Sequence, residues 1–322
     1  MISFLDVGLM ATLGTSGIDV FPLSLGGNVF GWTSDQDTSF EVLDQYVTGG
    51  GNFVDTADGY SAWVPGNSGG ESETIIGAWL RARGNRDQIV VATKVSQHPQ
   101  FRGLSASNIA AAADASLTRL GTDHIDLYYA HYDDSATPLT ETAAAFDALV
   151  RAGKVRAIAV SNYTGARITE WVEIARREGF AVPVAVQPHY NLVARAKYEK
   201  DIAPVAAAYD LAVVPYYGLA AGFLTGKYRT EQDLSKSPRG GGAADLLSNG
   251  GLDVVDALDK IARDRDVALA TVALAWLRAR PQVVAPIASA RSADQLPALL
   301  ASATLDLTPA EIAALDAASA EF

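Results

Sequence analysis

The chain of 322 residues contains no cysteine. Disulfide bonds, thiolate metal sites and cysteine nucleophiles are therefore excluded. Long apolar runs are missing as well, since no uninterrupted hydrophobic segment approaches the roughly 18 residues that cross a bilayer. The first residues, MISFLDVGLMATLGTSG, have no basic start and no long apolar stretch. We expect a leading strand there, not a signal peptide, and a cytoplasmic protein.

Basic residues are outnumbered by acidic ones. The 25 Lys and Arg residues stand against 37 Asp and Glu residues, which gives a formal net charge of −12. A surface for nucleic acid or an anionic membrane is therefore not expected. Hydrophobic residues make up 49% of the chain, which is enough for a large core. We expect a small molecule as the partner, and a monomer or a homo-oligomer.

Short strand-like runs alternate with alanine-rich helical stretches along the chain. In the helical stretches apolar residues recur at helical spacing, as in Ile109, Ala113, Leu117 and Leu120. This alternation predicts a parallel sheet that is buried on both faces. Eight such units favour a single-domain (β/α)8 barrel over residues 1–322. The eight strand-like runs cover residues 19–25, 52–57, 88–95, 124–131, 155–162, 183–190, 211–217 and 282–289.

One long segment, residues 227–250, shows neither pattern and follows the seventh strand. Loops of this length in compact domains are usually functional or disordered. We therefore predict an irregular flap over the substrate or cofactor, with Gly240–Gly242 as a flexible hinge. The other glycine run, Gly49–Gly51, precedes a strand, so we expect it to end a helix and not to bind a nucleotide.

Six consecutive strands end in polar or ionisable side chains. In a barrel of this kind the active site lies at the carboxyl ends of the strands. These side chains should therefore meet at one rim of the barrel. They are Asp55 with Tyr60, then Lys94, His131, Ser161 with Asn162, Gln187, and Tyr216 with Tyr217.

Four of these residues carry the groups needed to protonate an oxygen. The phenol of Tyr60 has an unperturbed pKa of ~10, and we expect the Lys94 ammonium to lower that pKa while Asp55 keeps Lys94 charged. His131 is a second donor that can polarise a carbonyl oxygen. Such a set suits carbonyl reduction. It contains no nucleophile–base pair, because the chain has neither cysteine nor a G-x-S-x-G elbow.

A metal site near His131 is not expected. Asp133 and Asp134 follow it closely, but no further histidine or cysteine stands at ligand spacing. His98, His124 and His189 are expected to be structural or exposed.

Six segments together resemble the aldo-keto reductase superfamily: NFVDTADGY, VVATKV, DLYYAHY, GKVRAIAVSNY, VQPHYNL and LAAGFLTGKY. The likeness extends from PLSLGGNVFGW to ARSADQL and is strongest to a bacterial branch that also resembles potassium-channel β-subunits. It implies NADP-dependent interconversion of an aldehyde or ketone with an alcohol. Tyr60 would be the general acid, Lys94 and Asp55 would tune it, and His131 would orient the carbonyl.

The resemblance also implies a cofactor site. Residues matching those that hold the nicotinamide carboxamide are Ser161, Asn162 and Gln187, and Tyr216 matches the aromatic residue that stacks on the nicotinamide ring. The pyrophosphate would lie on the backbone from Leu219 to Gly226, including Gly222 and Leu224, with Lys227 beside it. The 2′-phosphate and adenine would face Arg291 and Gln295.

Three departures from the family pattern affect this cofactor site. Tyr217-Gly218 stands where Ser-Pro is frequent, Ser289 replaces a usual Gly or Lys, and Ala298-Leu299 replaces a Glu-Asn pair. The preference for NADP therefore depends chiefly on Arg291, whose guanidinium fork suits a phosphate. NAD is the less favoured cofactor.

Aromatic residues in the loops leave the substrate open. Trp32, Trp63, Phe101 and Tyr132 follow strands one to four, and they either line a substrate pocket or only pack the loops. A pocket of this kind would take a sizeable, partly apolar or ring-shaped carbonyl or alcohol. Two alternatives to a reductase also remain. One is a cofactor-binding, redox-sensing regulatory subunit with slow turnover; the other is a dehydrogenase that mainly oxidises a sugar or natural-product alcohol.

Overall fold

The structure, a computed structural model, describes residues 9–237 and 240–322. Each of the eight strand-like runs contributes one strand to a single eight-stranded sheet. The barrel strands are β1 Ser24–Gly26, β2 Phe53–Asp55, β3 Val90–Val95, β4 Ile125–Ala130, β5 Val155–Ser161, β6 Ala185–Gln187, β7 Ala212–Val213 and β8 Ile287–Ala288.

The sheet closes on itself. Its strand order is β7-β6-β5-β4-β3-β2-β1-β8, and each neighbouring pair is parallel. Backbone hydrogen bonds join the two outer strands, from Val213 N to Gln282 O at 2.7 Å and from Ile287 N to Pro215 O at 2.9 Å. The predicted (β/α)8 barrel is therefore confirmed.

Helices surround the barrel. The longer ones are α1 Gln36–Thr48, α2 Glu71–Arg83, α3 Ala106–Leu120, α4 Leu139–Arg151, α5 Gly165–Glu178, α8 Gly251–Arg265, α9 Leu269–Arg278 and α11 Pro309–Ala318. The shorter ones are α6 Ala203–Tyr209, which follows a π-helical turn at Tyr198–Ile202, α7 Ala244–Ser248 and α10 Leu296–Leu300. The described residues also form six 3₁₀ turns, Arg86–Gln88, Ala220–Thr225, Glu231–Lys236, Gly240–Ala243, Ala293–Gln295 and Ala301–Ala303, and the two-residue strands Ala11–Thr12, Asp19–Val20, Gln97–His98 and Phe101–Arg102 outside the barrel.

Each strand is shorter than the apolar run that predicted it. β3, β4 and β5 have 6, 6 and 7 residues, whereas β1, β2, β6, β7 and β8 have only 3, 3, 3, 2 and 2. All of these five short strands except β2 come from a run that contains a proline, namely Pro22, Pro183, Pro188, Pro215 or Pro286. A proline has no N–H to donate to a neighbouring strand, so it limits the ladder.

The predicted helical stripes face the core. In α3, Ile109, Ala113 and Leu120 are buried, which follows from their shared helix face. Glycines follow the ends of these helices: Gly49 caps α1, as predicted, and Gly121 caps α3 with φ 64°.

A small hairpin covers the amino-terminal end of the barrel. Ala11–Thr12 pairs antiparallel with Asp19–Val20, and Leu13, Ile18 and Val20 pack into the same apolar cluster as the barrel interior. Asn52 fixes it, since its Oδ1 accepts from Phe21 N at 2.8 Å and its Nδ2 donates to Asp19 O at 3.1 Å. A strand was predicted in this leading segment, of which residues 1–8 lie outside the described part.

The segment 227–250 is not irregular, which corrects our prediction. Apart from residues 238–239, which are not described, most of it consists of two 3₁₀ turns and the short helix α7. Tyr228 and Ala243 are fully buried. Gly240 is buried too, and a Cβ there would collide with the carbonyl of Leu234. Close packing, not hinge flexibility, explains this glycine.

Within the described residues, no helix combines the length and the apolar character that crossing a bilayer demands.

Candidate active site

Lys94 lies at the centre of the polar cluster inside the barrel. Its Nζ donates to Asp55 Oδ2 at 2.7 Å, to the Thr56 carbonyl at 2.7 Å and to the Tyr60 hydroxyl oxygen at 3.0 Å. An ammonium has three protons, so these bonds use all of them. Because Tyr60 accepts from Lys94, its own O–H is left to donate to another group.

Strand geometry explains why these side chains meet. β2 and β3 are neighbours, with Asp55 paired to Ala92. Successive residues of a strand point to opposite faces. Ala92 and Lys94 therefore share the inward face of β3, while Val91 and Val95 belong to the outer core. The Lys94 side chain is completely buried and Asp55 is nearly so.

The pKa of Tyr60 shifts in the direction opposite to our prediction. Burial raises this pKa well above its usual range, and the Asp55 carboxylate adds to the effect. Burial likewise lowers the pKa of Lys94, although Asp55 opposes that shift. Desolvation thus outweighs the stabilisation of phenolate that the nearby ammonium would provide. Tyr60 is a neutral phenol at neutral pH and holds a proton to give.

His131 follows β4 and stands beside Tyr60. Its backbone N–H donates to the Val95 carbonyl at 3.0 Å, and its ring lies 6.1 Å from the Tyr60 ring, centroid to centroid. Burial and the nearby Lys94 lower the pKa of His131 well below its usual value. The imidazole is therefore neutral at neutral pH and carries one N–H that can donate to an oxygen.

The two carboxylates after His131 are engaged by protein groups. Asp133 accepts two hydrogen bonds from Arg167, at 2.8 and 2.9 Å. Asp134 accepts from Leu104 N at 2.8 Å. In residues 9–237 and 240–322 no group of three acidic, histidine or cysteine side chains is placed to hold a metal ion.

The predicted carboxamide-binding residues form a hydrogen-bonded network. Asn162 Nδ2 donates to the His131 carbonyl at 2.9 Å, and Asn162 Oδ1 accepts from the Tyr216 hydroxyl at 2.7 Å. Ser161 Oγ donates to the Gln187 carbonyl at 2.9 Å. The network fixes the Tyr216 ring, which stacks on His189 with centroids 5.4 Å apart. The residues of this network lie beside the Tyr60–Lys94 pair, at the rim where the sequence predicted them.

Gln187 also makes a contact that the sequence did not indicate. Its Nε2 donates to Asp55 Oδ1 at 2.8 Å, while Asp55 Oδ2 accepts from Lys94. Both oxygens of the buried carboxylate are therefore occupied. β2 and β6 are not neighbouring strands, so the bond crosses the barrel interior, and no local pattern could have revealed it.

The loop after β7 contains three consecutive residues with positive φ. Ala220, Ala221 and Gly222 have φ of 48°, 56° and 91°. The turn is held by internal hydrogen bonds, because Ala220 N donates to the Tyr217 carbonyl at 2.7 Å and Gly222 N donates to the Leu219 carbonyl at 2.8 Å. A Cβ on Gly222 would stand 2.5 Å from the Nζ of Lys227, so the absent side chain lets this cation reach the loop. Lys227 is therefore the charged group on this loop that could meet a phosphate.

Arg291 and Gln295 lie together just after β8. The Arg291 backbone N–H donates to Gln295 Oε1 at 2.9 Å, and the Arg291 carbonyl accepts from Ser34 Oγ at 2.9 Å. The Gln295 side chain therefore fixes the backbone at Arg291. Ser289, which replaces the usual Gly or Lys, donates to Asn28 Oδ1 at 2.6 Å.

Three of the four aromatic loop residues gather around Tyr60. Trp63 lies 6.2 Å from the Tyr60 ring and 5.6 Å from the Trp32 ring, and Tyr132 lies 5.0 Å from the His131 ring. Phe101 differs, because it belongs to a hairpin after β3 and packs against His98 at 5.1 Å. For Phe101 the packing interpretation holds; the other three rings border the mouth of the barrel.

Comparison with known proteins agrees with this fold. Residues 22–320 match the model of the Aldo/keto reductase family. Over 88% of the chain, the sequence is 35% identical to the oxidoreductase YrpG of Bacillus subtilis (strain 168), covering 87% of that protein. It is 32% identical to a probable voltage-gated potassium channel subunit beta of Oryza sativa subsp. japonica, covering 88% of each chain.

A third relative carries a cofactor in its name. The chain is 31% identical to aryl-alcohol dehydrogenase [NADP(+)] of Phanerodontia chrysosporium, over 92% of this chain and 82% of that one. With a family match along nearly its whole length, the chain belongs to the aldo/keto reductase family. It is accordingly an NAD(P)H-dependent oxidoreductase.

The buried ion pair predicts a non-additive effect on stability. Lys94→Met or Asp55→Asn alone should lower the free energy of unfolding by about 3–5 kcal/mol, because each leaves a buried group without its partner. The double variant should lose less than the sum of the two. Urea unfolding of the four proteins measures this coupling, and a double variant whose loss equals that sum would contradict it.

Proposed function

We propose that this protein is an NADP-dependent reductase of aldehydes or ketones, with Tyr60 as the general acid and, in the reverse direction, the general base. The observation that carries the proposal is the contact between Lys94 and Tyr60 at 3.0 Å inside the barrel, with Asp55 bound to the same ammonium. The proton donor Tyr60, the cation Lys94 and the neutral imidazole of His131 would then surround the carbonyl oxygen of a substrate. This is the arrangement that a developing alkoxide requires.

The chain's own residues handle the proton and the charge. When bound, the nicotinamide cofactor supplies the hydride to the carbonyl carbon. Tyr60 gives its proton to the carbonyl oxygen, so one O–H bond breaks and another forms. Lys94 stabilises the negative charge that this leaves on Tyr60, and Asp55 balances Lys94. The neutral His131 ring can donate its N–H to the same substrate oxygen and orient it.

Two features support NADP over NAD. Arg291 stands at the end of β8 with its backbone braced by Gln295, and a guanidinium binds a phosphate with two parallel hydrogen bonds. The aryl-alcohol dehydrogenase relative names NADP(+) as its cofactor. Ser161, Asn162, Gln187 and Tyr216 would hold the nicotinamide, and the loop from Leu219 to Lys227 the pyrophosphate.

Tyr60→Phe tests the proposed acid. The variant keeps the ring but cannot donate a proton, so kcat for reduction of 4-nitrobenzaldehyde should fall by roughly 10²- to 10⁴-fold. The dissociation constant for NADPH, measured by fluorescence titration, should change little. Tyr209→Phe on α6, remote from the barrel interior, is the matched control. Unchanged turnover in Tyr60→Phe would refute the proposed role.

The pKa directions predict a flat pH profile for reduction. The raised pKa of Tyr60 keeps the phenol protonated at neutral pH, and the lowered pKa of His131 keeps the imidazole neutral there. Reduction should therefore be constant between about pH 6.5 and 8, whereas oxidation of an alcohol, which needs Tyr60 as a base, should still rise with pH in that window. Initial rates in both directions measure this. Loss of reduction with a midpoint near pH 7 would show a lowered Tyr60 pKa instead.

Arg291→Met tests the cofactor preference. Loss of a charged hydrogen-bond partner should raise the dissociation constant for NADPH by roughly ten- to a hundredfold and leave that for NADH within about twofold. Arg263→Met, on the outer side of α8 with an exposed side chain, is the matched control. Equal weakening of both cofactors would argue against a 2′-phosphate contact at Arg291.

A further inference from the structure

The loop after β1, residues 27–34, is bonded to the chain on both sides of Tyr60. The Gly27 N–H donates to the Asp55 carbonyl at 2.7 Å, and the Phe30 carbonyl accepts from the Ser61 hydroxyl at 2.8 Å. Asp55 and Ser61 are the two ends of the segment that carries Tyr60. The loop at residues 27–34, the β1 loop, therefore holds this segment at both ends.

The β1 loop is itself firmly anchored. A Cβ on Gly27 would stand 2.9 Å from Ser72 Oγ and 3.2 Å from the Asp55 carbonyl oxygen, so only a glycine lets the two backbones come this close. Phe30 is fully buried in the core. At the end of the loop, Ser34 Oγ donates to the Arg291 carbonyl at 2.9 Å. Because the loop is fixed at three places, it can serve as a rigid support for the segment that carries Tyr60.

Ser61 adopts a backbone conformation that is uncommon for a residue with a side chain. Its φ is 67°, in the left-handed region, and the residue is fully buried. Asn67 Nδ2 donates both to the Ser61 carbonyl at 3.1 Å and to the Gly31 carbonyl at 3.0 Å. Strain of this kind persists where the surrounding structure enforces it, commonly at functional sites. Here the bonds to the β1 loop enforce it.

The position of the Tyr60 phenol has little freedom on the side of its partner. The Tyr60 hydroxyl lies 3.0 Å from Lys94 Nζ, and the same Nζ is bound to Asp55 and to the Thr56 carbonyl, each at 2.7 Å. The Lys94 side chain is completely buried, so it cannot follow a phenol that moves away. The phenol must therefore be brought to Lys94 by its own backbone, which turns at Ser61.

We propose that Ser61 is a positioning residue, and that the bond from its hydroxyl to the Phe30 carbonyl sets the place at which Tyr60 presents its proton beside Lys94. This inference rests on the proposed function and adds to it a residue that acts through Tyr60. Without the hydroxyl, the left-handed turn loses one of the contacts that enforce it and can relax. A displacement of about 1 Å between reacting groups costs on the order of 10²-fold in rate.

Ser61→Ala tests this role, since it removes the hydroxyl and keeps the Cβ. The kcat for reduction of 4-nitrobenzaldehyde with NADPH should fall roughly ten- to a hundredfold. The KM for the aldehyde should stay within about threefold, because the lost alignment matters only in the transition state. Ser302→Ala is the matched control: Ser302 is also buried, and its Oγ donates to the Leu299 carbonyl at 2.6 Å. Ser302→Ala should keep the wild-type kcat.

A double variant separates positioning from a general loss of structure. If Ser61 acts only through the proton of Tyr60, removing its hydroxyl should cost nothing further once the phenol is gone. Single-turnover oxidation of NADPH by 4-nitrobenzaldehyde, with the protein in excess, should then be equally slow in Tyr60→Phe and in Tyr60→Phe/Ser61→Ala, within about twofold. A purely structural role of Ser61 would lower the rate by the same factor in both backgrounds.

Each outcome supports or overturns the role of Ser61. Wild-type kcat in Ser61→Ala, or the same loss in both backgrounds, would overturn it. Should Ser61→Ala fail to fold, Ser61→Gly replaces it, because glycine adopts a positive φ without strain; wild-type kcat in that variant would be equally decisive. An inactive Tyr60→Phe beside an active Ser61→Ala would refute only the role of Ser61. Full turnover in Tyr60→Phe would refute the proposed function itself, and the role of Ser61 with it.

Discussion

The buried ion pair between Lys94 and Asp55 is the interaction on which the rest of the site depends. Removing an ammonium and a carboxylate from water is costly, and a protein tolerates it only with near-ideal geometry and further hydrogen bonds. Both conditions are met here, since Lys94 also binds Thr56 and Tyr60 and Asp55 also binds Gln187. These bonds come from three different strands or the loops after them. A closed barrel is what brings the groups into one dry interior, so the fold and the site require each other.

Backbone strain is concentrated at the same end of the barrel as this ion pair. Among the described residues, the non-glycine positions with positive φ are Ser61, Ser96, Asn162, Asp210, Tyr217, Ala220, Ala221, Asp266 and Gln282. Six of these nine positions, all but Asp210, Asp266 and Gln282, lie in loops after β2, β3, β5 and β7. That is the carboxyl rim that holds Tyr60 and Lys94. The stable strands below support conformations that a lone loop would not keep. Strain thus accumulates at the end of the barrel that holds the proposed site.

Much of the fold and of the candidate site could be predicted from the sequence, and the features that could not be predicted have physical causes. The polar residues at successive strand ends predicted one rim, because parallel strands share a direction. Strand lengths could not be read from hydrophobicity alone, since prolines such as Pro215 and Pro286 interrupt the ladder inside an apolar run. The pKa of Tyr60 was predicted in the wrong direction, because neighbouring charges can be guessed from spacing whereas depth of burial cannot. The Gln187–Asp55 contact joins residues 132 positions apart on strands that do not touch.

The hairpin that Asn52 holds at the amino-terminal end of the barrel limits how a ligand can reach Tyr60. Its residues Leu13, Ile18 and Val20 fill the end of the barrel interior that is opposite Tyr60. A molecule that reacts at Tyr60 would therefore enter and leave through the carboxyl end of the barrel. A cofactor and a substrate that meet at Tyr60 would have to share this one opening. The apolar plug at the far end thus confines the chemistry of the barrel to its carboxyl rim.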